Sequence, residues 1–106
     1  MTDTRPRFVL LEDSPLDAEL VSAELRRGGL QCDIVVADGE ASFREALQGR
    51  IDLILSDHNL TAFDSRRALA MARERHPDVP FIVVSGTMGE DAAIDAIRGG
   101  ATDYVL

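Results

Sequence analysis

The feature that most constrains the fold is a regular alternation of short apolar runs with amphipathic segments. Five runs rich in Val, Ile and Leu are apolar on both faces, and they cover residues 8–12, 32–37, 51–56, 80–85 and 103–106. Runs of this length and composition are typical of strands buried in a parallel sheet. Because helical patterns separate them, the sequence predicts βαβ units in an α/β, doubly wound, five-stranded parallel sheet with helices on both faces.

The first amphipathic segment has clear helix-end signals. Ser14 is a candidate cap, Pro15 falls at the first helical position, and Asp17 completes a capping-box pattern. Gly28 and Gly29 end the segment. The residues at helical spacing that we expect to be buried are Leu16, Leu20, Val21 and Ala23.

Three further helices are predicted at about residues 40–48, 64–76 and 90–98. Their expected buried residues are Phe43, Ala46, Leu47, Ala68, Leu69, Ala72, Ala93, Ile94 and Ile97. A fifth helix, needed to cover the end of the sheet, is absent from these 106 residues.

Composition excludes several functional classes. A formal net charge of −8 argues against a nucleic-acid partner, which would require a basic face. No run of eighteen apolar residues is present, so we expect no membrane span, and the N-terminus does not resemble a signal peptide. The lone Cys32 excludes an internal disulfide and is expected to be a small buried hydrophobe. Together these features predict a cytoplasmic protein.

Polar residues follow the predicted strands at one edge of the sheet, where ligands bind in open α/β folds. These residues are Glu12, Asp13, Asp57, Ser85, Gly86 and Thr87. Clustered carboxylates are unfavourable without a cation, and their hard oxygens suit Mg²⁺. A carboxylate at such a site can also act as a nucleophile and form an aspartyl phosphate. Taken singly, each group has a simpler interpretation as a helix cap, a polar strand end or an ordinary turn.

Four sequence blocks, in this order and spacing, resemble the receiver domain of two-component response regulators: "LLEDSPLDAEL", "LILSDHNL", "FIVVSGT" and "GGATDYVL". The resemblance covers essentially the whole chain. It implies a flavodoxin-like fold with strand order 2-1-3-4-5. Residues 1–106 would form one receiver domain that lacks its last helix.

The resemblance also implies residue roles. Asp57 would take a phosphoryl group from a histidine kinase or a histidine phosphotransfer protein, in a signalling domain that is not a turnover enzyme. The implied Mg²⁺ ligands are Glu12 (through water), Asp13, Asp57 and the backbone carbonyl of Asn59. The implied phosphate-binding and switch residues are Ser85, Gly86, Thr87 and Tyr104. Phosphorylation would alter contacts with an output domain or effector, or with a second copy through the fourth helix and fifth strand.

Departures from the family pattern leave two alternatives open. The sequence has no lysine, whereas the family places one directly after "YVL", so we expect a lysine at position 107 of a longer natural protein. Without that lysine the domain would be a pseudo-receiver that signals without phosphorylation. The second alternative is a haloacid-dehalogenase-type phosphatase with a "DxDxT" motif. Its second acid is replaced by Asn59 here.

Overall fold

A computed structural model describes residues 5–29, 31–57, 64–84 and 103–105 of the chain. The elements, in chain order, are β1 (Arg7–Leu11), α1 (Pro15–Arg27), β2 (Asp33–Ala37), α2 (Glu40–Ala46), β3 (Leu53–Asp57), α3 (Ser65–Arg75), β4 (Phe81–Val84) and β5 (Asp103–Val105). The predicted alternation is confirmed for these elements. The helix predicted at 90–98 lies outside the described residues.

The five strands form one sheet in the order β2-β1-β3-β4-β5, and every neighbouring pair is parallel. This confirms the predicted α/β class and strand order. In the register, Leu11 lies opposite both Ala37 and Ser56. The carboxyl ends of the three strands β2, β1 and β3 are therefore level with one another, which brings the residues that follow them to one edge.

Both faces of the sheet are covered. On β1, successive side chains point to opposite faces, so Val9 and Leu11 belong to a larger apolar cluster and Leu10 to a smaller one. The larger cluster includes the predicted buried residues of α2 and α3, which are Phe43, Ala46, Leu47, Ala68, Leu69 and Ala72. The smaller cluster includes Ala18 of α1. Helices α2 and α3 thus cover one face and α1 covers the other.

The predicted ends of α1 are correct, but of its four predicted buried residues only Val21 packs toward the sheet. The face packed toward the sheet consists of Ala18, Val21, Ser22 and Leu25. Leu16, Leu20 and Ala23 point away from the domain and are exposed. The helix carries apolar residues on two opposite sides, and the small Ala18 and Ser22 are the residues buried against the sheet. The prediction relied on hydrophobicity alone, and it therefore chose the side with the larger apolar residues, which faces outward.

Local capping explains where the helices begin. The Ser14 hydroxyl accepts a hydrogen bond from the backbone N–H of Asp17 at 3.3 Å, and Asp64 caps α3 by accepting from the N–H of Arg66 at 2.9 Å. Gly28 ends α1, and Gly29 follows with a φ of 86°, in the left-handed region that glycine tolerates best.

One minor expectation differs from the structure. Cys32 precedes β2 and is half-buried, so it is not a core residue. Arg67 is exposed on α3 and donates two hydrogen bonds to the Glu40 carboxylate, at 2.7 and 3.2 Å. This ion pair joins the start of α2 to the first turn of α3, and it lowers the pKa of Glu40.

Candidate functional site

Three carboxylates converge at the carboxyl edge of the sheet. Glu12 and Asp13 directly follow β1, and Asp57 is the last residue of β3, the strand next to β1. One carboxylate oxygen from each of the three residues lies within 4.8 Å of the other two. The convergence predicted from strand ends is therefore present in the fold.

Backbone contacts fix the position of Glu12. Its N–H donates to the carbonyl oxygen of Ala37 at 2.9 Å, which continues the pairing of β1 with β2 by one residue. Its carboxylate accepts a hydrogen bond from the N–H of Ser14 at 3.0 Å, at the cap of α1. Glu12 is buried, at 5% exposure, while Asp13 and Asp57 are half-buried. The cluster therefore has one buried carboxylate and two that are open to solvent on one side.

The electrostatics of the cluster are unfavourable for three full negative charges. Burial raises the pKa of Glu12 to about 7, and a hydrogen bond with Asp57 adds to the rise. The negative charges of Asp57 and Asp17 act in the same direction, and only the Ser14 N–H opposes them. At neutral pH a proton therefore offsets part of the charge between Glu12 and Asp57.

The donor set fits a hard divalent cation. Carboxylate oxygens are the ligands that Mg²⁺ prefers in proteins, and a cation at this position would replace the proton held by Glu12. Glu12 has a carboxylate held in place by a backbone hydrogen bond, and Asp13 and Asp57 offer partly exposed oxygens. The cluster can thus hold a metal ion and still present a carboxylate to an incoming ligand.

Ser56 is a site neighbour that the sequence did not single out. It has no exposed surface, it lies opposite Leu11 and Val83 in the sheet, and its hydroxyl lies 3.3 Å from the carbonyl oxygen of Asp57. A serine at the end of the run at 51–56, directly before Asp57, was the signal that could have indicated it.

The other predicted site residues are not described in full. Asn59, Ser85, Gly86 and Thr87 lie outside the described residues. Tyr104 lies on β5, where its backbone is opposite Val83, and its side chain is not described. Their predicted roles stay predictions.

No helix within the described ranges is long and apolar enough to cross a membrane.

Among known proteins, the chain matches the family model of the response regulator receiver domain over residues 8–106. It is 29% identical over 100 residues to the response regulator protein FleR of Pseudomonas aeruginosa. It is 33% identical over 98 residues to the luminescence regulatory protein LuxO of Vibrio campbellii. These alignments cover 94% and 92% of the chain, respectively, and 21% of each relative, so the chain spans about a fifth of their length.

Solved structures agree at the level of the fold. The phosphorylated cyanobacterial phytochrome response regulator RcpA superposes with a TM-score of 0.82 at 23% identity, covering 97% of this chain and 81% of that one. A response regulator from Burkholderia pseudomallei, solved with a phosphorylated aspartic acid, a calcium ion and citrate, gives a TM-score of 0.80 at 20% identity, covering 94% and 58%. Since the family model covers nearly all of the sequence, the chain belongs to the response regulator receiver domain family.

Proposed function

We propose that this chain is a phosphoacceptor module of a two-component signalling system, in which Asp57 receives a phosphoryl group from a phosphohistidine. The observation that carries this proposal is the convergence of Glu12, Asp13 and Asp57, with oxygens of all three within 4.8 Å, in a member of the receiver family. The donor we propose is a histidine kinase or a histidine phosphotransfer protein. The setting we propose is the cytoplasm, in line with the composition.

The cofactor we propose is Mg²⁺, with Glu12, Asp13 and Asp57 as the side chains that would hold it and the Asn59 carbonyl as a further ligand. When bound, the ion would supply the positive charge that lets a phosphoryl group approach three carboxylates. Support comes from the donor set and from the calcium-containing Burkholderia pseudomallei structure.

The chemistry we propose for the chain's own residues is a single displacement. A carboxylate oxygen of Asp57 attacks phosphorus, a P–O bond forms, and the P–N bond to the donor histidine breaks. The histidine nitrogen leaves with the bonding electron pair and takes a proton from solvent. Asp57 is half-buried and at the edge of the sheet, so a donor can reach it. The product is a labile acyl phosphate, so the chain acts as a signalling domain and not as a turnover enzyme.

The response we propose involves Ser85, Gly86, Thr87 and Tyr104 in the roles that the resemblance implies. Sheet register supports a short route to them, because Asp57 lies opposite Val84 on β4 and Val83 lies opposite the backbone of Tyr104 on β5. A change at Asp57 would thus reach β5 across one strand. The surface it alters would bind an output domain or effector, or a second copy through the fourth helix and fifth strand.

The experiment that tests this function treats the full-length protein with acetyl phosphate and Mg²⁺ and measures the mass by electrospray. We expect a single added phosphoryl group that is lost in alkali, and none in Asp57→Asn. Asp52→Asn, which changes a carboxylate at the opposite end of β3, is the matched control and should label normally. Equal labelling of Asp57→Asn would contradict the mechanism. An unlabelled wild-type chain would favour the pseudo-receiver, and steady release of phosphate from a phosphomonoester would favour a phosphatase.

A further inference from the structure

A serine hydroxyl is buried in the strand directly before the proposed acceptor. Ser56 has no exposed surface, and it lies on the same face of β3 as Ile54, which belongs to the larger apolar cluster. Its neighbours across the sheet are Leu11 on β1 and Val83 on β4, and both belong to that cluster. The hydroxyl therefore lies between two hydrocarbon side chains, where an alanine would avoid the cost of burying a polar group.

Within the part of the chain that the structure describes, the Ser56 hydroxyl has one acceptor. It lies 3.3 Å from the carbonyl oxygen of Asp57 and can donate to it. The usual O–H···O distance is about 2.7–2.8 Å, so this hydrogen bond is long and offsets only part of the cost of burial. Serine is therefore a poor choice for stability alone, and the group that it contacts belongs to the proposed phosphoacceptor.

The contact with the main chain is the means by which Ser56 can act on Asp57. Successive side chains of a strand point to opposite faces, so the hydroxyl reaches the peptide carbonyl of Asp57 and not its carboxylate. Because β3 ends at Asp57, this carbonyl belongs to the first peptide group that leaves the strand. A hydrogen bond to it restricts the rotation of that peptide group, and so helps to fix the direction in which the Asp57 side chain projects.

We propose that Ser56 is a positioning residue for Asp57, and that its hydroxyl holds the peptide carbonyl and thereby orients the carboxylate for attack on phosphorus. This inference rests on the proposed phosphoacceptor function. Transfer requires the attacking oxygen in a near-attack geometry, and small misplacements lower the rate strongly. The same alignment serves hydrolysis of the acyl phosphate. There a water oxygen bonds to phosphorus, a proton of that water passes to solvent, and the Asp57 carboxylate leaves with the electron pair of the broken P–O bond.

The test compares Ser56→Ala with the wild type in the full-length protein, with acetyl phosphate and Mg²⁺ as reagents and electrospray mass as the readout. We expect the variant to be labelled about fivefold more slowly, and its acyl phosphate, once the donor is removed, to be hydrolysed about fivefold more slowly. Hydrolysis is followed only on labelled molecules. A variant with a smaller folded fraction would therefore label less but lose the group at the wild-type rate.

A second variant and a matched control separate the hydroxyl from the fold. Ser56→Thr keeps a hydroxyl donor and should restore most of both rates. Ser22→Ala changes another buried serine, 7% exposed on α1, and should be labelled and hydrolysed like the wild type.

Two measurements on the unphosphorylated protein complete the test. The carbonyl ¹³C resonance of Asp57 should move upfield in Ser56→Ala, because the carbonyl loses a hydrogen bond, and should stay in place in Ser22→Ala. The urea midpoint of Ser56→Ala should be no lower than that of the wild type, because alanine removes a buried polar group.

Three results would overturn the proposal. One is unchanged labelling and hydrolysis in Ser56→Ala while the wild type is labelled on Asp57, which would leave the phosphoacceptor function intact. Another is slower labelling with unchanged hydrolysis and a lower urea midpoint, because the serine would then only support the fold. The third is a Ser56→Thr variant as slow as Ser56→Ala. Equal labelling of Asp57→Asn and the wild type is a different failure, because it contradicts the phosphoacceptor function itself.

Discussion

Glu12 and Asp57 share a hydrogen bond between the ends of two neighbouring strands, and this contact, together with burial, raises the pKa of Glu12 to about 7. Glu12 and Asp57 are two of the three carboxylates in the acidic cluster. The proton and the proposed metal ion would therefore compete for one place in the protein, and several measurable consequences follow from that competition.

The first prediction concerns stability in the presence of a chelator. The pKa of Glu12 is about 7 in the folded chain against an ordinary value of 4.5, so the folded state binds more protons between these pH values. The contribution of Glu12 to stability is then fully present below pH 4.5 and is lost as the pH rises through 7. We expect the free energy of unfolding to fall by on the order of 2 kcal/mol over this window.

Urea denaturation at a series of pH values measures this effect. Glu12→Gln cannot ionise and should show a much flatter profile, while Glu19→Gln, an exposed change on α1, should retain the wild-type slope. A wild-type stability that increases from pH 5 to pH 7.5, with chelator present, would show that the sign is wrong.

The second prediction concerns Mg²⁺ binding. An ion that uses the Glu12 carboxylate has to displace its proton, so binding should release protons and tighten as the pH rises from 6 to 8. Calorimetry in two buffers of different ionisation enthalpy counts the protons released. Glu12→Gln should bind more weakly and release almost none. If the wild type released no protons, the bound ion would not be using the Glu12 carboxylate.

The third prediction is that removing the negative charge of Asp57 stabilises the protein when a chelator is present. Asp57→Asn removes a negative charge that raises the pKa of Glu12, so it should lower that pKa and raise the free energy of unfolding at pH 7.5 by on the order of 1 kcal/mol. Chemical denaturation measures the change. Asp52→Asn serves as the control, and it should be destabilising, because the Asp52 carboxylate accepts a hydrogen bond from the N–H of Arg7 at 2.8 Å.

The fourth prediction tests the two sides of α1. Leu16→Gln and Leu20→Gln change exposed side chains and should alter the free energy of unfolding by less than about 0.5 kcal/mol. Val21→Ala removes part of a half-buried side chain packed on the smaller apolar cluster and should cost about 1 kcal/mol. Thermal and urea denaturation measure all three. A larger loss for Leu20→Gln than for Val21→Ala would reverse the assignment of the faces.

The fifth prediction concerns a link at the far end of the sheet. The Arg7 guanidinium donates to the carbonyl oxygens of Ala46 and Arg50, at 3.2 and 2.8 Å, and so joins β1 to the end of α2. Arg7→Met should lower the free energy of unfolding by about 1–2 kcal/mol, because these carbonyls lose a charged donor. Arg26→Met, on an exposed turn of α1, is the matched control and should have little effect. If both variants lost the same free energy of unfolding, the contacts of Arg7 would not be what stabilises this end of the sheet.

Local patterns in the sequence were sufficient for much of the fold. The apolar runs predicted the strands, Ser14 and Gly28 predicted the ends of α1, and the predicted buried residues of α2 and α3 were correct. The meeting of Glu12 and Asp13 with Asp57 also followed, because parallel strands place their carboxyl ends at one edge. The strand order came from resemblance to a known family, since no local pattern specifies which strands are neighbours.

What the sequence did not predict depends on packing between distant residues. Helix α1 has two apolar sides, and only contact with the sheet decides that Ala18 is buried and Leu20 is not. The Arg67–Glu40 pair joins residues 27 positions apart, and the Arg7 contacts span about 40. A long arginine side chain could pair with many acceptors along the sequence, and only the tertiary structure determines which of them lies within reach.

Ser56 has a consequence for how the domain can respond to a modified Asp57. The residue directly before Asp57 is fully enclosed between Leu11 and Val83, and close-packed interiors do not yield by small continuous displacements. We therefore expect the main chain of β3 at Ser56 to stay in place when a group is added to Asp57. The displacement would then pass along the carboxyl edge of the sheet, through β4 to β5.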